Sequence, residues 1–196
     1  RWGMTRVGIV GCGTIGSALA RAFERDHAKT ARVVALTDDQ RAPALHLQRQ
    51  LASHPPLVSL PELIRRSDVV VEAASVAVAA RVARLALMAH RDVLIMSSGG
   101  LVTSDAWRRA AQRSRGHLHV PSGALCGLDG VKAMAMGTIR RIQLTTRKAP
   151  RALAAAPFVH AHHLMLQRLK RPRVLFNGSP ADAVNAFPQN TNVAAT

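Results

Sequence analysis

Val7-Gly8-Ile9-Val10-Gly11-Cys12-Gly13-Thr14-Ile15-Gly16 is the stretch that decides the fold. Val7 to Val10 is a short apolar run that reads as a buried strand, and Gly11 ends it. From Ile15 to Glu24 the chain is apolar and alanine-rich with no breaker except Gly16, which reads as a helix. The glycines fit G-x-G-x-x-G, a weak signal alone. Its context strengthens it: the motif lies between a strand and a helix, and Asp38 stands 22 positions after Gly16 at the end of the next strand. Gly11 permits a tight turn, Gly13 lets backbone N–H groups reach a pyrophosphate at the helix N-terminus, and Gly16 lets the helix approach the sheet. Gly11, Gly13, Thr14, Ile15 and Gly16 are therefore cofactor-binding candidates, with Asp38 accepting from the adenosine ribose hydroxyls. Arg41 could meet a 2′-phosphate, so NAD and NADP both stay open. The plainer reading of the same residues is a glycine turn and a capping aspartate.

The pattern repeats outward. Arg32 to Leu36 reads as a strand, Pro43 to Leu51 as a helix, and Pro61 to Arg66 as a short helix. A strand over Val69 to Val71, a helix over Val76 to Ala89 and a strand over Val93 to Met96 follow. Ser104 is expected to cap a helix running to about Ser114, whose Trp107, Ala110, Ala111 and Ser114 share one face while Arg108, Arg109 and Arg113 face solvent. Leu118 to Val120 is a further strand. Strands alternating with helices predict an α/β fold, a doubly wound parallel sheet of the Rossmann type. The composition shift at Pro121-Ser-Gly-Ala-Leu-Cys-Gly-Leu-Asp-Gly130 sets a domain boundary, with residues 1–120 as the dinucleotide-binding domain and 121–196 as a second one. There the expected elements are a helix near Val131 to Met136, strands near Arg140 to Thr146 and Val174 to Phe176, and a helix from Pro180 to Ala186 capped by Ser179.

A chain of 196 residues that is 48% hydrophobic can bury a core, which excludes intrinsic disorder. The net charge of +16 invites nucleic acid, but 23 of the 27 basic residues are arginines scattered along the chain. Only six aromatic side chains are present, unclustered, so base-stacking platforms are missing and no specific nucleic-acid partner is expected. Cys12 and Cys126 are too few for a disulfide framework and lack metal-ligand spacing. The longest apolar run, around Val69 to Ala80, is interrupted by Glu72 and Ser75, so no membrane partner is expected and the reading is a cytoplasmic protein.

Glu72 either lines the cofactor crevice or serves as a helix-capping or loop-bracing carboxylate, and Ser97-Ser98-Gly99-Gly100 either underlies the nicotinamide or makes a tight turn. His160, His162 and His163 form a histidine cluster without the carboxylate or cysteine partners of a zinc set, so no metal site is assigned. No acidic residue lies between Asp129 and Asp182, a basic block that attracts anions.

Pro121-Ser-Gly-Ala-Leu-Cys-Gly-Leu-Asp129, Thr146-Arg-Lys-Ala-Pro150, Phe176-Asn-Gly-Ser179 and Phe187-Pro-Gln-Asn-Thr-Asn-Val-Ala-Ala-Thr196 resemble, in order, the motif series of the L-aspartate dehydrogenases. The resemblance implies NAD(P)-dependent oxidation of L-aspartate to iminoaspartate, which hydrolyses to oxaloacetate and ammonia and can feed NAD biosynthesis. It also implies a homodimer formed through a C-terminal α/β domain. By the same similarity Ala124 and Asn190 belong to the cofactor site, and Ser122 and Asn192 to the substrate site. Arg147 and Lys148 are candidates for the substrate carboxylates, since a guanidinium offers a bidentate fork. The family's catalytic histidine sits in a D-P-x-x-x-x-N-x-H segment downstream of the F-P-x-N-x-N motif, and none of the nine histidines here matches it. The catalytic residue is therefore unknown within this sequence. The second domain is expected to be C-terminally shortened, and turnover to be small. Rival readings are another reductase of this architecture, such as a dihydrodipicolinate-reductase-like or homoserine-dehydrogenase-like protein, a non-catalytic dinucleotide-binding protein, and a basic nucleic-acid-binding protein.

Overall fold

The structure, a computed structural model, describes residues 3–123 and 125–188. Its contacts divide the chain into two compact units, Arg1–Pro121 and Ser122–Thr196.

In the first unit β1 (Thr5–Val10), β2 (Ala31–Thr37), β3 (Val69–Glu72), β4 (Asp92–Ile95) and β5 (Leu118–His119) form one parallel sheet in the order β2-β1-β3-β4-β5. The register pairs Val7 with both Val33 and Val69, Val69 with Asp92, and Val93 with Leu118. Each crossover carries helix: α1 (Thr14–Asp26) leads to β2, α2 (Arg41–Gln50) and α3 (Leu60–Arg66) to β3, α4 (Val76–Met88) to β4, and α5 (Gly99–Val102) and α6 (Arg108–Arg113) to β5. Because strand side chains alternate, the apolar runs feed two cores. Val7, Ile9 and Val71 pack with Ala20, Ala44, Leu47 and Leu51 beneath α1 and α2. Val10, Val70, Val93 and Ile95 pack with Leu63, Val82, Ala83 and Leu87 on the opposite face. Asp68 closes the amino edge, accepting from the Arg6 backbone N–H at 2.9 Å and from its guanidinium at 2.6 Å.

One helix here starts later than its sequence suggests. Ser104 does not cap α6; its hydroxyl accepts from the Ala106 N–H in a turn, and Trp107 takes the capping position. The side chain of Trp107 anchors the segment by donating from Nε1 to the Leu101 carbonyl at 3.1 Å. The apolar face is as expected, with Trp107, Ala110 and Ala111 against the core and Arg108, Arg109 and Arg113 exposed.

The second unit contains α7 (Leu128–Met134), α8 (Pro150–Leu153), α9 (Pro157–Ala161), a 3₁₀ turn at Leu166–Arg168 and α10 (Pro180–Ala186). Proline opens α8, α9 and α10, where its missing N–H costs nothing. Ser179 caps α10 as expected, accepting from the Asp182 N–H at 3.2 Å. The expected strands near Arg140–Thr146 and Val174–Phe176 do not form among the described residues. A strand exists through its ladder partner, and neither segment has one there. The core comes instead from the apolar stretch after Pro150: Ala156, Val159 and Leu166 pack with Phe187, and the Phe158 and Phe176 rings meet edge to face at 5.7 Å.

Candidate functional site

The strand order reverses between β1 and β3, and ligands of open α/β sheets bind outside the carboxyl ends of the strands at such a point. The glycine loop lies there. Gly11 has φ of +96°, and a Cβ on it would lie 2.6 Å from the Ala73 carbonyl oxygen, so the loops after β1 and β3 touch backbone to backbone. Gly16 is buried in the first turn of α1, where a Cβ would collide with the Gly11 carbonyl.

Gly13 differs from both. Its backbone is extended, with φ of −72° and ψ of −161°, and a Cβ built on it meets nothing within 4 Å. It occupies the capping position of α1 without a side-chain cap, and no acidic residue stands in the first turn. The leading N–H groups of a 13-residue helix, those of Thr14, Ile15 and Gly16, thus have no side-chain cap at an end where the space beside Gly13 is open. The helix dipole and these donors favour an anion.

Asp38, just past β2, ties this loop down. Its Oδ2 accepts from the Cys12 N–H at 2.6 Å and its Oδ1 from the Gln40 N–H at 2.8 Å. A carboxylate has about four lone-pair sites, so acceptor capacity remains for a diol. Burial, and secondarily the Asp38 charge, push the Cys12 thiol up to about 12. Arg41 is exposed at the start of α2. The space at Gly13, the α1 amides and the neighbouring carboxylate fit the pyrophosphate and ribose of a dinucleotide.

Glu72 is fully buried at the end of β3 and braces two loops, which resolves the choice its position left open. Oε1 accepts from the N–H groups of Ala74 at 2.8 Å and Ser75 at 3.0 Å, and Oε2 from that of Ser97 at 3.0 Å. The full extent of this bracing is illegible in sequence; an acid closing the apolar run Val-Val-Val-Glu72 is its one signal. Ser97 and Ser98 are buried, and Gly99 and Gly100 begin α5.

The structure therefore brings together Gly11, Gly13, Thr14, Ile15, Gly16 and Asp38. Ser122, Arg147 and Lys148 lie in the second unit, all exposed. Ala124, Asn190 and Asn192 lie outside the described residues. His160, His162 and His163 are exposed, with the His162 ring 4.2 Å from that of Phe158. Among the described residues no group of three histidine, cysteine or acidic side chains converges, and no helix is long and apolar enough to cross a membrane.

Residues 11–121 match the family model "Homoserine dehydrogenase, NAD binding domain", and residues 129–196 match "Aspartate dehydrogenase, C-terminal". The chain is 36% identical over 197 residues to an L-aspartate dehydrogenase of Methanosarcina barkeri, covering 98% of this chain and 72% of that protein. It is 35% identical over 188 residues to L-aspartate dehydrogenase 3 of Bordetella bronchiseptica, covering 96% and 69%. The fold is similar to the crystal structure of aspartate dehydrogenase from Thermotoga maritima, with a TM-score of 0.70 at 22% identity over 98% of this chain and 72% of that one. It is also similar to the WlbA dehydrogenase of Bordetella pertussis in complex with NADH and UDP-GlcNAcA, with a TM-score of 0.57 at 22% identity over 78% and 50%.

Proposed function

The chain belongs to the L-aspartate dehydrogenase family, and from that premise we propose how its residues divide the work of an NAD(P)-dependent aspartate dehydrogenase. Residues 1–120 bind the cofactor and residues 121–196 hold the substrate. When bound, NAD or NADP supplies the acceptor for the hydride that leaves Cα of L-aspartate; the resulting iminoaspartate hydrolyses to oxaloacetate and ammonia.

The α1 amides beside Gly13 take the pyrophosphate and Asp38 takes the adenosine ribose, with Ala124 and Asn190 completing the cofactor site. The observation that carries this is the open, uncapped start of α1 beside a carboxylate already fixed by the Cys12 and Gln40 amides. Ser122, Arg147, Lys148 and Asn192 are assigned to the substrate. Aspartate carries two carboxylates, and Arg147 and Lys148 are exposed in a stretch devoid of acids. The product feeds NAD biosynthesis, a role supported by the family resemblance alone. Self-association to a homodimer is supported by exposed Met134, Met136, Ile142 and Val174 in the second unit. A cytoplasmic setting is supported by two free cysteines.

The match of residues 11–121 to a homoserine dehydrogenase domain makes L-homoserine the necessary control. The test is formation of reduced nicotinamide from NAD or NADP, with protein at substrate-level concentration so that a single slow turnover registers. L-Aspartate supports it and L-homoserine does not. Reduction with L-homoserine alone would overturn the assignment.

A further inference from the structure

We infer that Glu72 is a positioning residue for the nicotinamide half of the cofactor site, an inference that rests on the dinucleotide reading above. Glu72 is aligned with Val10 of β1 and Ile95 of β4, at the carboxyl edge where the strand order reverses. Its carboxylate reaches both ways from there. Oε1 holds Ala74 and Ser75 in the loop before α4, and Oε2 holds Ser97 in the loop before α5. The Ser97 hydroxyl bonds to it as well.

These bonds do more than steady a helix end. Ser75 is the capping residue of α4, but Ala74 and Ser97 lie outside the helices, so the carboxylate fixes the two loops as well. A buried carboxylate is costly, and among the described residues this one is held by amides and a hydroxyl, with no bond to a basic side chain. Burial pushes its carboxyl up, while the amides and the hydroxyl pull it down. Fixing two separate loops relative to each other is what a two-oxygen acceptor does that a serine or asparagine cap does not.

The loops it fixes are those flanking the far half of a dinucleotide. Gly13 and Asp38 belong to the loops after β1 and β2, which take the pyrophosphate and the adenosine ribose, and the other mononucleotide half extends past the reversal point towards β3 and β4. Ala73 and Ala74 also form the backbone wall against which Gly11 is pressed, at 2.6 to 2.7 Å from its Cβ position. The adenosine side is held independently by Asp38 on the Cys12 and Gln40 amides, so freeing either loop loosens the nicotinamide side first.

The test compares NADH with ADP-ribose, which lacks only the nicotinamide, by calorimetric titration of the wild-type chain and Glu72→Gln. Gln keeps one acceptor oxygen and turns an NH₂ group towards one loop's N–H, so one loop is released. NADH affinity is expected to fall about tenfold or more, as for loss of a hydrogen bond to a charged group, with ADP-ribose affinity unchanged within about twofold. Equal losses for both ligands would make Glu72 a general structural residue and overturn the inference, as would no loss for either. Ser97→Ala removes the hydroxyl and keeps the amide; it gives a smaller loss confined to NADH, and decides the matter should Glu72→Gln not fold. Unchanged NADH affinity in that variant then overturns the inference. A wild-type chain that binds neither ligand, nor NADPH, overturns the dinucleotide reading itself, whereas ADP-ribose binding without the split overturns only the role of Glu72.

Discussion

Among the described residues, 25 apolar side chains are buried in the unit that ends at Pro121, against five in the unit that begins at Ser122. The first builds two cores on the faces of a parallel sheet, so the strands carry apolar residues on both faces and the crossover helices cover them. The second builds a small cluster around Phe158, Phe176 and Phe187 from short proline-started helices, and leaves Met136 92% exposed and Val174 80% exposed. Cofactor recognition falls to the first unit because it depends on rigid backbone at Gly11, Gly13 and Gly16. The proposed substrate contacts, Arg147 and Lys148, are instead exposed side chains of the second.

The widest gap between the units is expected in protease sensitivity. Residues 138–149 are exposed and outside any helix or strand, and include Arg140, Arg141, Arg147 and Lys148. Limited trypsin digestion is expected to cut there about a hundredfold faster than at Arg32 or Arg81, leaving a fragment that retains the five strands. Mass spectrometry of the first products checks this, and first cuts within β2 or α4 would break the contrast.

Core truncation sharpens it next. Leu63 is fully buried between α3 and the sheet, so Leu63→Ala is expected to cost about 2–5 kcal/mol in denaturant unfolding. Ile142→Ala, at a side chain 64% exposed, is expected to stay within about 0.5 kcal/mol.

The legibility of the two units differs for the same physical reason. In the first, every strand and crossover is announced locally, and Gly11-Cys-Gly-Thr-Ile-Gly16 with Asp38 names its own ligand class. The bond from Asp38 to the Cys12 amide and the three amides on Glu72 are not announced, since they depend on register between distant strands. In the second unit the alternation of Ile142 and Leu144 suggests a strand, yet pairing is decided by a partner that local pattern does not contain. Ala152 to Arg171, apolar without a clear period, is where the core residues Ala156, Val159 and Leu166 turn out to lie.

Acid stability offers a smaller test within the first unit. The Asp68 carboxyl is held below its usual range, first by the side-chain hydrogen bond from Arg6. Its pKa is lower folded than unfolded, so its contribution is present above the unfolded value and is lost as pH falls through the folded one. The stability difference between the wild-type chain and Asp68→Asn should therefore shrink as pH falls below the ordinary carboxylate range. A difference that grows with acid would contradict the pairing.

Smallest is the contrast between the two thiols. Cys12 is buried with its thiol pushed up to about 12, whereas Cys126 is exposed. Iodoacetamide should label Cys126 in the folded chain and reach Cys12 only after denaturation. Equal labelling rates in the native state would show that the glycine loop opens.

The proposed role of the open start of α1 beside Gly13 is to hold the pyrophosphate of NAD or NADP. It is tested most directly by titrating NADH into the wild-type chain and Gly13→Val while recording the thermal midpoint of each. A Cβ at Gly13 meets nothing within 4 Å, so a midpoint close to wild type is expected, with NADH binding abolished. Undiminished NADH affinity in Gly13→Val would contradict it and leave the glycine loop as only a turn.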